Sequence, residues 1–364
     1  MAKVFSKFSI IVSALFFTAC STSIEIPQGF PTPPPPADAK RLAAINLKRD
    51  PTLESQIAKI AEAAKGKVGV AAVDLDTGDA ALLNADDKFP MQSVYKLPIS
   101  MAVMERIRLG KAELDEKIGV TKDDFVRPGM RSPLRDANPN GGEFTIRELI
   151  RLSMVESDGT ASDVLMRVAG GAGAVQDYLS QIGIDGVRVV NTEKEIGRDW
   201  QTQFANYATP TQAAELLRWL DVAASDATAN DAPVRTASDS DRANGVSTGN
   251  DSDRGSQPAT RDNDALTEYQ LLLKFMADSN PGAKRLKGEL PPGTYVAHKT
   301  GTSGTQDGIT AATNDIGIIR LPNGKRVAIA VFVSDSPTDE KTREAVIAKI
   351  AKAVWDAWSQ NREQ

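Results

Sequence analysis

A serine stands three residues before a lysine in Phe89-Pro90-Met91-Gln92-Ser93-Val94-Tyr95-Lys96. On a helix, that spacing puts the Ser93 hydroxyl and the Lys96 amine on one face, about one turn apart. A neutral amine within reach can take the serine's proton and make it a nucleophile. The chain has a single histidine, His298, so any serine–histidine mechanism must use it. Alone, Ser-x-x-Lys is a pattern that many solvated helix turns carry, and it gains meaning only from partners. Two follow. Ser157-Asp158-Gly159 sits in the apolar, helix-like stretch from Met154 to Val168, and Lys299-Thr300-Gly301-Thr302-Ser303 follows the strand-like Tyr295-Val296-Ala297-His298.

The elements that must position these groups are legible as patterns. Asp50-Pro51 opens a helix, a capping residue followed by proline at the first helical position, and Leu53, Ile57, Ile60, Ala61 and Ala64 recur at helical spacing up to Gly66. Val68 to Leu75 and Ala80 to Asn84 form a hairpin around Asp76-Thr77-Gly78. Thr145 with Glu148 makes a capping box ahead of Ile146, Leu149, Ile150 and Met154, and Pro210 opens a helix carrying Ala213, Leu216, Leu217 and Leu220. Residues 225–264 are Ser, Asp, Asn, Ala, Gly and Thr with almost no large apolar side chain. They cannot bury enough surface to offset their ordering entropy and are expected to be a disordered insertion. Helical periodicity resumes at Leu266 and Tyr269. Tyr295–His298, Thr310–Arg320 and Arg326–Val333 are β-like, with Asn323-Gly324 joining the last two, and a helix from about Thr338 closes the chain.

One helix and two strands precede the helical middle, and three strands and a helix follow it. The economical solution is an α+β fold: an antiparallel five-stranded sheet made from both ends of the chain, flanked by the terminal helices, with an all-α domain inserted. The expected division is 40–92 with 265–364 as the sheet domain, 93–224 as the all-α domain and 225–264 as the insertion.

A chain of 364 residues can bury a substantial core, and its net charge of −5 with no basic block argues against a nucleic-acid partner. Residues 1–20 read as a signal peptide: Lys3 and Lys7, then an apolar run from Phe8 to Phe17 too short to span a bilayer. It ends in Phe17-Thr18-Ala19-Cys20. Cys20 is the lone cysteine, which rules out an intrachain disulfide, and its position resembles a bacterial lipobox in which the cysteine is lipidated. Ser21 follows it, which in that pattern favours the outer membrane, so the expected location is the periplasm, anchored through Cys20. The proline-rich segment 21–39 reads as a stiff tether.

Ser-x-x-Lys, Ser-Asp-x and Lys-Thr-Gly in that order form the motif set of serine β-lactamases and penicillin-binding proteins. From about residue 40 to 362 the chain resembles a class A serine β-lactamase, nearest the PER-type extended-spectrum subgroup, on the wording His298-Lys299-Thr300-Gly301-Thr302-Ser303-Gly304, Thr313-Asn314-Asp315 and Arg285 in Lys284-Arg285-Leu286-Lys287-Gly288. The resemblance implies a cofactor-free monomer acting on a β-lactam. Ser93 would be the acylating nucleophile, held or activated by Lys96. The backbone N–H groups of Ser93 and Thr302 would form the oxyanion hole. Ser157 would pass a proton to the departing nitrogen. Lys299, Thr300, Gly301, Thr302 and Arg285 would attract the substrate carboxylate. Glu193, in Asn191-Thr192-Glu193-Lys194-Glu195-Ile196-Gly197, matches the deacylating base of the family's omega loop, with Glu195 as the competing candidate. His298 is expected to be structural, and one histidine with one cysteine cannot build a catalytic zinc site.

Four positions depart from the common class A pattern. Gly159 replaces the asparagine of Ser-Asp-Asn, Gly197 replaces an asparagine beside the deacylating water, and Asn191 and Asn206 fall where many members have an Arg–Asp pair. These departures suggest a reshaped loop admitting bulkier cephalosporins. They also keep two alternatives open: a D,D-peptidase-like penicillin-binding protein, and a penicillin-binding sensor or cell-wall lipoprotein that acylates without turnover.

Overall fold

The computed structural model describes residues 44–230 and 266–360. The signal peptide, Cys20, the tether and residues 231–264 of the expected insertion lie outside the described residues. The central sheet is built from β1 (Lys48–Arg49), β2 (Lys67–Asp74), β3 (Asp79–Leu83), β4 (Val296–Thr302), β5 (Thr313–Arg320) and β6 (Arg326–Ser334). Its order is β1-β3-β2-β6-β5-β4, so strands from both ends of the chain interleave. Five strands are antiparallel. The sixth, β1, corrects the five-strand expectation: it runs parallel to β3 and is held by Lys48 N–H to Gly78 O and Asp50 N–H to Ala80 O, both 2.8 Å. Two residues are too short to show the period-2 alternation by which a strand is recognised.

Alternate residues of β2 and β6 serve two different cores. Val68, Val70, Ala72, Ile329 and Val331 face the terminal helices, α1 (Pro51–Ala61) and the C-terminal Glu340–Trp358, where Ile57, Ile347, Ile350 and Trp358 are buried. Ala71, Ala330 and Phe332 face the helical layer. Burial on both faces explains why these strands read as continuous apolar runs. The Asp50 side chain accepts Thr52 and Leu53 N–H at 3.1 Å and so starts α1. The left-handed residue after it is Lys65 (φ 49°) rather than Gly66. Gly66 serves a different need, since a Cβ there would lie 2.4 Å from Ser334 O.

The helical layer centres on α2 (Lys96–Arg108), whose residues 96–105 are all buried. Around it lie α3 (Ile146–Val155), α4 (Gly159–Ala169), α5 (Gly171–Gln181), α6 (Glu193–Ile196), α7 (Pro210–Asn230) and α8 (Glu268–Ala277). The capping box of Thr145 and Glu148 starts α3, and Asp158 caps α4. α7 continues past residue 225 into the stretch whose composition suggested no structure. α8 packs with α7 and α2, so this part of the 265–364 segment joins the helical core, through Tyr269, Leu272 and Met276. Two short β ribbons also lie in the helical half, pairing Lys117–Val120 with Gly142–Thr145 and Tyr207–Ala208 with Phe89–Pro90 and Val187–Arg188. Among the described residues, no helix is long and apolar enough to cross a membrane.

Candidate active site

Ser93 lies in a 3-10 turn, Gln92–Tyr95, and Lys96 is the first residue of α2. The turn keeps the spacing effective: Lys96 Nζ donates to Ser93 Oγ at 2.7 Å. The same nitrogen donates to Glu193 Oε2 at 3.0 Å. Lys96 is fully buried, so its ammonium must find its partners within the protein. Ser93 Oγ and Glu193 supply two of them.

Glu193 comes from the first turn of α6. Its side chain is 17% exposed, and Oε2 also accepts the Tyr95 hydroxyl at 2.8 Å. Burial pushes its pKa up, but the Lys96 charge, the hydrogen bonds from Tyr95 and Lys96 and the more distant Lys299 outweigh burial and hold it below the usual range. Tyr95 is fully buried, and burial together with the Glu193 and Asp163 charges raises its phenol far above its ordinary range, so it remains a donor. Glu195 is occupied elsewhere: Oε2 accepts Thr192 N–H (2.9 Å) and Oγ1 (3.1 Å), completing the capping box of α6. The structure therefore brings Glu193, and not Glu195, to Lys96.

On the opposite wall, Lys299 of β4 donates from Nζ to Ser157 Oγ at 3.0 Å and to Thr300 O at 3.2 Å. Burial, with the charges of Lys96 and Arg285, drives the Lys299 pKa well below its ordinary value despite the Asp315 and Glu193 carboxylates. Ser157 sits between α3 and α4 in the left-handed region, φ 56°. The following Asp158 fixes it by accepting Ala161 N–H (2.8 Å), Ser132 Oγ–H (3.0 Å) and Leu134 N–H (2.7 Å). Gly301 allows β4 to lie against the turn before Ser93, where a Cβ would stand 2.2 Å from Met91 O. Asn314 secures the same approach, donating from Nδ2 to Pro90 O at 2.8 Å and Met91 O at 3.2 Å.

Arg285 is buried rather than a surface side chain. It donates to Gly301 O (3.2 Å), Asn314 O (3.0 Å) and Thr302 Oγ1 (2.8 Å), and pairs with Glu344 at 3.2 Å. His298 and Asp315 are both fully buried and meet at 2.9 Å. Asp315 also accepts Leu286 N–H at 3.1 Å. One carboxylate thus ties down the chain neighbours of both Lys299 and Arg285.

The omega-loop segment is closed by amides. Asn206 Oδ1 accepts Val190 N–H (2.8 Å) and Asn191 N–H (2.9 Å), and its Nδ2 donates to Asn191 O at 2.8 Å. Asp163 of α4 accepts the N–H groups of Glu193 (2.6 Å) and Lys194 (3.0 Å). Trp200 packs edge-on against Phe204 at 6.2 Å and lines the cleft. That cleft, of about 650 Å³, exposes Ser93, Ser157, Glu193, Thr300 and Thr302 on its walls. Sequence reasoning missed Tyr95, Asp163, Asn314 and Asp315 as members of the site.

The family model described as "Beta-lactamase enzyme family" matches residues 52–231 and 266–358. Beta-lactamase VEB-1 from Pseudomonas aeruginosa is 34% identical over 306 residues, covering 84% of this chain and 89% of its own. Extended-spectrum beta-lactamase PER-1, also from Pseudomonas aeruginosa, is 34% identical over 309 residues, covering 84% and 87%. Among solved structures, TLA-3 extended-spectrum beta-lactamase superposes with a TM-score of 0.71 at 35% identity, over 85% of this chain and 99% of that one.

Proposed function

The chain belongs to the beta-lactamase enzyme family, as a PER-type class A serine β-lactamase that hydrolyses β-lactams, and from that premise we propose how its residues divide the work. Ser93 Oγ attacks the lactam carbonyl, and the oxyanion is held by the N–H groups of Ser93 and Thr302. Lys96 gives a proton to Glu193 and takes the serine proton in its place, along the bridge that joins the two. Ser157, bonded to Lys299, delivers a proton to the lactam nitrogen as the C–N bond breaks, and the proton taken up by Glu193 replaces it, leaving Glu193 a carboxylate again. Lys299, Thr300 and Thr302 bind the ring carboxylate, with Arg285 acting through its bond to Thr302. In the second half-reaction Glu193 takes a proton from water, the hydroxide attacks the ester, and Ser93 departs with a proton returned through Lys96. The observation that carries this reading is the bridge of Lys96 Nζ between Ser93 Oγ (2.7 Å) and Glu193 Oε2 (3.0 Å).

A chromogenic cephalosporin tests it. Turnover is expected in the wild type and none in Ser93→Ala, while Glu193→Ala accumulates a covalent adduct visible by mass spectrometry. Rapid product release from Glu193→Ala refutes Glu193 as the deacylating base. The PER-1 and TLA-3 relatives carry the description extended-spectrum, which supports turnover of oxyimino-cephalosporins. Steady-state comparison with benzylpenicillin decides this, and absence of cephalosporin turnover sinks it. Lipidation at Cys20 is a further reading from the sequence alone. Metabolic labelling with palmitate, lost in Cys20→Ala, checks it.

A further inference from the structure

Gly159 and Gly197 stand where the common class A pattern has asparagines, so neither position offers Glu193 a side-chain amide. The Glu193 carboxylate has two side-chain donors among the described residues, Lys96 Nζ at 3.0 Å and the Tyr95 hydroxyl at 2.8 Å, and both meet the same oxygen, Oε2. Oε1 accepts no hydrogen bond among the described residues, and the side chain lines the cleft, 17% exposed. The two donors differ in kind. Lys96 is also bonded to Ser93 Oγ at 2.7 Å and, in the mechanism proposed above, exchanges protons with both Ser93 and Glu193. Its bonds therefore change from step to step. Tyr95 takes no part in that exchange. It is fully buried in the 3-10 turn that carries Ser93, and burial beside the Glu193 and Asp163 charges keeps its proton in place. The backbone end of Glu193 is fixed separately, its N–H donating to Asp163 at 2.6 Å.

We propose that Tyr95 is a positioning residue for deacylation: by holding Oε2 through the whole cycle, its hydroxyl keeps Oε1 turned into the cleft as the oxygen that takes the proton from water. The proposal rests on the reading of Glu193 as the deacylating base. The two half-reactions then depend on Tyr95 unequally. In acylation the proton moves along the bond between Lys96 and Oε2, which Lys96 makes without help. In deacylation it moves from water to Oε1, whose place is set by the orientation of the carboxylate alone. A base displaced by a fraction of an ångström from a reacting water loses much of its effect.

Tyr95→Phe keeps the ring, whose centroid lies 5.7 Å from Lys96 Nζ, and removes the hydroxyl alone. Rapid mixing with a chromogenic cephalosporin separates the two half-reactions. Deacylation is expected to slow about tenfold, as for a general base moved off its near-attack geometry, and the acyl-enzyme should accumulate, visible by mass spectrometry. The ratio kcat/KM, which reports acylation, should stay unchanged. In a Glu193→Ala background, Tyr95→Phe should slow deacylation no further, because the hydroxyl acts through that carboxylate. A fall in kcat/KM as large as the fall in the deacylation rate would mean that the hydroxyl serves the Ser93 turn as a whole and would overturn the proposal. So would an unchanged deacylation rate, or a further loss in the double variant. Rapid deacylation by Glu193→Ala alone would overturn the assignment of the base itself, and with it this role for Tyr95.

Discussion

Asp163 holds Glu193 by its backbone: the carboxylate accepts the Glu193 N–H at 2.6 Å and the next N–H, that of Lys194, at 3.0 Å. Burial raises the Asp163 pKa from 3.8 to about 7, the two N–H groups opposing it and the Glu193 charge adding to it. The position of the proposed general base, Glu193, therefore rests on a carboxylate whose pKa burial raises to about 7.

The sign of the resulting pH dependence is fixed. A carboxyl whose folded pKa is raised keeps a proton that the unfolded chain has already lost, so its stabilising contribution is complete below the unfolded value and is lost as pH rises through the folded one. The stability of the wild type relative to Asp163→Asn is therefore expected to decline between about pH 4 and about pH 7 and to level off above. Denaturant unfolding of the two proteins across that range measures it, and a flat difference contradicts it.

Tyr95→Phe removes one of the two donors to Glu193 Oε2 while leaving Lys96 in place. Loss of a hydrogen bond to the charged form raises a carboxylate's pKa. The acidic limb of the kcat–pH profile should move up, by about one unit or less. An unmoved limb would show that the phenol has no electrostatic influence on the base.

How much of this was readable beforehand depends on sequence distance. Ser93 and Lys96 are three residues apart, so helical geometry alone brings them together. Ser157 and Lys299 sit within short motifs whose order is informative. The supporting groups have no such local signature: Asp163 meets Glu193 across the α4–α6 packing, and Asp315 meets His298 and Leu286 across two strands and a loop. One ambiguity was decidable from the sequence. Thr192-x-x-Glu195 is a capping-box pattern, and recognising it assigns Glu195 to the helix start and leaves Glu193 for chemistry. The strand Lys48–Arg49 was not readable, because its pairing is set by the hairpin beside it rather than by its own two residues.

Arg285 and Lys299 are expected to respond together to changes at Asp315, which bonds beside both. Asp315→Asn should raise KM for benzylpenicillin by about tenfold with a smaller change in kcat, as for weakened ground-state binding of the carboxylate. Arg285→Ala should raise KM similarly and also cost about 3 kcal/mol of stability, since it leaves the part-buried Glu344 without its partner. An effect on kcat alone, with KM unchanged, would remove both residues from the carboxylate site.

Gly159 touches Glu193, the proposed deacylating base, more directly than its missing side chain suggests. A Cβ built there would lie 2.8 Å from Glu193 Cγ, 3.2 Å from Arg131 O and 3.2 Å from Val126 Cγ1. Two of those neighbours are a backbone carbonyl and a packed valine, so the side chain that must yield is Glu193. Gly159→Ala is therefore expected to push the carboxylate away from Lys96 and Tyr95, with about 1–3 kcal/mol of strain in the folded state. In the proposed mechanism Ser93 and Lys96 carry acylation and Glu193 is the base for deacylation, so acylation should suffer less than deacylation. Pre-steady-state mixing with a chromogenic cephalosporin should then show a burst of one equivalent followed by slow turnover, with the adduct visible by mass spectrometry. Equal slowing of both phases would mean that the added methyl disturbs the Ser93 turn rather than the position of Glu193.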